Sequence, residues 1–130
     1  MISAHFLGCV LDASVAVKWF AATGEDDRDR ALALRRWHVK GTLRLLVPGS
    51  FALEVMNALR FGHKFNEREI IQAVDSLESI VFEVSPIESN LLRSSVGIAS
   101  TYQLTLYDAV YVALAEREKS FHFLLPTKSW

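Results

Sequence analysis

The stretch FLGCVLD, Phe6 to Asp12, is where the fold becomes readable. Six apolar or small residues run without a charge and end on an acid, the pattern of a buried strand with Asp12 at its carboxyl end. After a polar stretch around Gly24, Arg28 to Lys40 reads as a helix, with Ala31, Leu34 and Trp37 spaced by three. Leu43 to Val47 (LRLLV) is strand-like and is stopped by Pro48-Gly49. Ser50 can cap a helix running to about Phe61. Asn66 can cap another, from Glu67 to about Ile80, with Glu69 at its third position. Phe82 to Val84 is a short strand, and Ser85-Pro86-Ile87-Glu88 reads as a capping box opening a helix to about Tyr102. Thr105 opens a helix from Leu106 to about Lys119, and Phe121 to Leu125 is a last buried strand. Strands alternating with helices predict an α/β fold, a central parallel sheet flanked by helices on both faces. In such sheets ligands sit beyond the carboxyl ends of the strands.

Composition sets the outer limits. The chain has 130 residues, 51% hydrophobic and 22% charged, enough apolar content for a packed core and too much for global disorder. We expect one domain over 1–130, since no linker, repeat or low-complexity tract divides it. With 14 Lys and Arg against 15 Asp and Glu, the net charge of −1 excludes a histone-like polycation. The single cysteine, Cys9, can form neither an internal disulfide nor a cysteine-based zinc site, which fits a reducing compartment. No apolar run reaches the roughly 18–20 residues that span a bilayer. The opening MISAHFLGCVLDAS has no basic segment and meets Asp12 too early for a signal peptide. A cytoplasmic location is the expectation.

Three acids stand in apolar surroundings. Asp12 leaves the end of the first strand, where its plainer role is to cap the helix that follows. Glu54 interrupts a helix, Ser50 to Phe61, whose apolar residues cover almost the whole circumference; Asn57 is its neighbour on one face. A carboxylate there needs a partner, and a buried salt bridge is the simplest one. Asp108 precedes seven apolar or aromatic residues, and Thr105-x-x-Asp108 is also a capping-box pattern. Gathered together, three carboxylates repel one another and call for a cation. An all-oxygen site suits Mg²⁺ or Mn²⁺ rather than zinc, and such an ion supports phosphodiester hydrolysis.

The segments VLDASVAVKWF, LEVMNAL and LTLYDAVYVALAE resemble the PIN-domain ribonucleases, in particular VapC-type toxins of toxin–antitoxin modules. The resemblance runs from about Leu7 to the end of the chain. It implies a Mg²⁺- or Mn²⁺-dependent endoribonuclease with Asp12, Glu54 and Asp108 as catalytic, metal-binding acids. Ser14 would support the metal site, and Asn57 would have a positioning role. The resemblance also implies RNA as substrate, inhibition by a cognate antitoxin protein, and a homodimer. One departure stands out. A fourth acid usually follows the last strand, but here the tail reads LLPTKSW and places Thr127 at that position. That departure supports an alternative, a catalytically impaired PIN-like module that binds RNA or antitoxin without cleaving.

Other signals are weaker. Arg28, Arg30, Arg35, Arg36, Lys40 and Arg44 could track RNA phosphates, with Trp37 stacking on a base, or form a solvated helix face with Trp37 in the core. Histidines 5, 38, 63 and 122 have no zinc-ligand spacing, and the six glycines form no phosphate-binding loop. A phosphoacceptor domain of the response-regulator type also places an acid at a strand end, but no acidic pair precedes Asp12.

Overall fold

The computed structural model describes residues 7–21, 29, 32, 33, 35, 36, 38–40, 43–118 and 121–124. Strand β1 (Leu7–Leu11) leads into a short helix α1 (Ala13–Val17). Among residues 28–40, where the sequence predicts a helix, Asp29, Leu32, Ala33, Arg35, Arg36, His38 and Val39 are helical. Arg28, Arg30 and Trp37 lie outside the described residues. Then come β2 (Leu43–Pro48), α2 (Phe51–Asn57), a π turn (Ala58–Gly62) and α3 (Glu67–Glu78). The chain continues through β3 (Glu83–Ser85), α4 (Ser89–Tyr102), α5 (Leu106–Arg117) and β4 (Phe121–Leu124).

The four strands form one parallel sheet in the order β3-β2-β1-β4. Consecutive residues of β1, Cys9, Val10 and Leu11, are all buried, as are Leu45, Leu46 and Val47 of β2. Neighbouring strand residues face opposite sides, so both faces of the sheet are covered. Helix α5 packs across β1, β2 and β4 and against α4. Pro48 closes β2 without loss, because the pairing with β1 ends at Val10↔Leu46 and Gly49 N–H takes over by donating to the Ser85 carbonyl at 2.9 Å.

Phe82, just before β3, joins the layers. Its ring stacks on Trp19 (centroids 6.1 Å apart) and His38 (5.5 Å), and tilts against Phe51 (5.2 Å). His38 Nδ1 accepts from Leu45 N–H at 3.0 Å, which leaves Nε2 to donate to the Val81 carbonyl at 2.7 Å. His38 is therefore a packing element with both ring nitrogens engaged. Much of the basic stretch is similarly occupied: Arg35 lies 6.0 Å from the Trp19 ring centroid, and Arg44 pairs with Glu83 across β2 and β3. Arg36 and Lys40 remain exposed.

Two sequence expectations change. Ser85 does not cap α4: it is the last residue of β3, and Glu88 caps instead, accepting from the Asn90 and Leu91 amides. Pairing with Pro48 takes Ser85 into the sheet, so the helix starts three residues later than a box at Ser85 implies. Helix α2 is not buried all round. Phe51 and Val55 face the core, while Leu53 is 76% exposed, so the apolar wheel reflects a core face and a separate surface patch. The box at Asn66 forms in full, with Asn66 accepting from Glu69 N–H at 2.9 Å and Glu69 accepting from Asn66 N–H at 2.8 Å. Asn66→Ala should therefore cost about 1 kcal/mol in urea unfolding, and Glu69→Ala less; no loss for Asn66→Ala would mean the cap contributes nothing.

Candidate metal centre

Parallel pairing sends the carboxyl ends of all four strands to one edge, from which Asp12 and the helix carrying Glu54 both follow. Asp12 follows β1 directly and is the N-cap of α1. Its Oδ2 accepts from Ser14 N–H at 2.9 Å and from the Ser14 hydroxyl, so the capping role and the supporting role expected of Ser14 coincide. Both bonds use one oxygen. Among the described residues, Oδ1 takes no hydrogen bond.

Glu54 is built in the same one-sided way. It sits half-buried on α2, and its Oε2 accepts from the Ser50 hydroxyl at 2.6 Å and from the Tyr111 hydroxyl at 3.2 Å. Oε1 takes no hydrogen bond among the described residues. Burial pushes the Glu54 carboxyl above its ordinary value, the bonds from Ser50 and Tyr111 pull it back, and the charges of Asp12 and Asp108 push it up again. Both of the other candidate acids thus act on Glu54 through their charge. Asp108 lies exposed in the first turn of α5, where its amide donates to Thr105 Oγ1 at 3.1 Å. Only that half of the expected box forms among the described residues, leaving the Asp108 carboxylate outside the cap.

Asn57 is exposed and shares with Glu54 a cleft of ≈ 500 Å³ that also takes in Leu53, Phe61 and Tyr107. A cavity of ≈ 640 Å³ between α4 and α5 holds none of the three acids. Thr127 lies outside the described residues. Cys9 is buried, its thiol pushed up to about 12 by burial, which removes it as a nucleophile.

Sequence reasoning missed two participants. Ser50 was expected to cap α2, yet its side chain makes no capping bond and turns to Glu54, one helical turn ahead. The Ser50–Glu54 spacing of four was the available signal. Tyr111 read as one more apolar residue of α5, although a buried tyrosine hydroxyl usually needs a partner. Burial and the nearby charges of Glu54 and Asp12 push the Tyr111 phenol far up, so it stays protonated and donates to Glu54.

The donor chemistry fits a hard divalent cation. Asp12, Glu54 and Asp108 offer carboxylate oxygens only, each with an oxygen that no described residue satisfies, and their mutual repulsion is what a cation relieves. Among the described residues, which include all three acids, no three or more His, Cys, Asp or Glu side chains are grouped so that they could hold a metal ion. Mg²⁺ commonly takes one or two carboxylates and completes its shell with water, which suits an open set of acids.

The repulsion has a measurable consequence without metal. Because the Glu54 carboxyl is raised in the fold, the folded protein takes up that proton before the unfolded chain does. Ionised Glu54 therefore destabilises the fold above its raised value, and the penalty fades as pH falls through that value toward the ordinary 4.5. Glu54→Gln keeps an acceptor for Ser50 and Tyr111. In EDTA it should be more stable than the parent at pH 7, with the difference shrinking toward pH 4.5. Equal unfolding midpoints at pH 7 would contradict the electrostatic coupling.

Comparison with known proteins agrees with this arrangement at the level of family. No curated protein matches the chain. Residues 9–122, spanning all three acids, match the family model described as PIN domain, and the chain belongs to the PIN-domain family.

Proposed function

We propose that this PIN domain is a divalent-metal-dependent endoribonuclease and the toxin of a type II toxin–antitoxin module of the VapC kind. PIN domains are typically metal-dependent nucleases, which sets the reaction class. What supports the reading is where the acids stand, Asp12 directly after β1, half-buried Glu54 on the helix after β2 and Asp108 in the first turn of α5, with the charges of Asp12 and Asp108 acting on Glu54. In this reading Asp12 and Asp108 hold Mg²⁺ or Mn²⁺, and Glu54 is a further ligand or orients the attacking water. The ion, when bound, supplies polarisation of the phosphodiester and activation of water. Ser14 fixes the Asp12 carboxylate, and Asn57 positions RNA beside Glu54.

The antitoxin is the inhibitor that this surface supports. Leu53, Phe61 and Tyr107, 76%, 67% and 68% exposed, border the Glu54 cleft, a site for an apolar segment that also brings an Arg or Lys to the acids. Homodimerisation belongs to the same reading. No helix among the described residues is long and apolar enough to cross a membrane, and the proposed place of action is the cytoplasm.

A second reading, an impaired module that binds RNA or antitoxin without cleaving, is favoured by Thr127 and by the absence, among the described residues, of a group of three acids that could hold a metal ion. One assay separates them: a mixed RNA pool incubated with Mg²⁺, Mn²⁺ or EDTA. The nuclease reading expects cleavage that EDTA abolishes, and intact RNA under every condition would establish the alternative. Asp12→Asn and Asp108→Asn should each lower the rate by at least about 10²-fold, since an ion contributes several kcal/mol to the transition state and each ~1.4 kcal/mol is tenfold. Both variants should still fold. Thr127→Asp should lower the metal concentration for half-maximal cleavage, whereas Ser129→Asp should not; equal effects would remove Thr127 from the site.

A further inference from the structure

We infer that Tyr111 is a positioning residue of the acidic site, its buried hydroxyl tying the helix that carries Asp108 to the carboxylate of Glu54. The inference rests on the proposed nuclease reading and deepens it. Tyr111 is 0% exposed on α5, three residues and about one turn beyond Asp108. Its hydroxyl donates to Glu54 Oε2 at 3.2 Å, across 57 positions of sequence. Ser50, one turn before Glu54 on its own helix, donates to the same oxygen at 2.6 Å. A phenol offers one donor and two acceptor lone pairs. Here the donor reaches α2, while the ring is fixed in the core.

A merely structural tie would have the same bonds, so the distinction lies in which oxygen is engaged. Tyr111 and Ser50 both take Oε2, and the other Glu54 oxygen stays unbonded among the described residues. The pair thus sets the rotation of the carboxylate as well as its position. Partners behind a metal ligand typically contribute 10–100-fold to metal affinity or activity.

The test uses Tyr111→Phe, which keeps the ring and removes the hydroxyl, with exposed Tyr102→Phe as the control. Mn²⁺ affinity by titration calorimetry, unfolding in EDTA, and kcat and KM on RNA are measured for both. We expect Tyr111→Phe to fold, to bind Mn²⁺ about 10-fold more weakly, and to lose about 10–100-fold in kcat at unchanged KM. Parent-like Mn²⁺ affinity and kcat, with only the unfolding midpoint lowered, would overturn the inference. A parent that binds Mn²⁺ but cleaves no RNA would sink the nuclease reading alone, and the Mn²⁺ affinity of Tyr111→Phe would still decide the role of Tyr111. A parent that binds no Mn²⁺ overturns both. If Tyr111→Phe does not fold, Ser50→Ala removes the other bond to the same Glu54 oxygen. It should lower Mn²⁺ affinity in the same direction, and unchanged affinity would count against the link.

Discussion

Glu54 is held half-buried within reach of the charges on Asp12 and Asp108, and an ionised carboxylate so placed raises the energy of the fold unless something answers it. The chain answers it in part, with one hydroxyl from its own helix and one from α5. Both reach the same oxygen. What remains is a set of carboxylate oxygens directed by protein bonds on one side and unsatisfied on the other. Folds that merely bury an acid usually satisfy it fully or give it an arginine. Among the described residues, the salt bridges of Arg44 and Arg117 go to Glu83, Glu88 and Glu118 and not to these acids. The residual repulsion is consistent with a site organised for a cation.

Topology explains how residues so distant in sequence meet. Asp12 is the first residue after β1, and Glu54 lies in the first turn of the helix after β2, which pairs with β1 in parallel. Their proximity follows from that pairing. Asp108 is delivered differently, by α5, which crosses the sheet and buries Ala109, Val110, Tyr111, Ala113 and Leu114. The helix must start at the sheet edge for Asp108 to reach the others, and the Thr105 cap sets that start. The bond from Tyr111 to Glu54 then locks α5 against α2 at the depth where the acids meet.

The alternation of strands and helices was readable because apolar runs and caps carry local signals. The box at Asn66, the Thr105 cap and the stop at Pro48-Gly49 all act within a few residues. The acids were readable for a related reason, since a charge in an apolar segment stands out wherever the segment ends up. Ser50 and Tyr111 were less readable because their roles depend on tertiary contact. A serine before a helix looks like a cap until the helix turns its Glu54 back toward it. A tyrosine among alanines and valines looks like core until its hydroxyl finds an acid 57 residues away. The exposure of Leu53 was hidden in the same manner: apolar periodicity reports which residues avoid water, and a surface awaiting a partner produces the same pattern as a core.

The last strand connects the site to the departure at the tail. β4 pairs with β1 in parallel and places Leu124 beside Leu11, one residue before Asp12. The sheet therefore ends β4 on the edge where Asp12 follows β1. A family pattern with an acid soon after this strand is what that geometry favours, because any short continuation begins next to Asp12. Thr127, in the stretch that follows, lies outside the described residues, and the sequence there offers a hydroxyl where the family pattern has a charge. Ligand charge helps set how tightly hard cations bind, so in the proposed site that exchange would fall first on the more weakly held of any two ions.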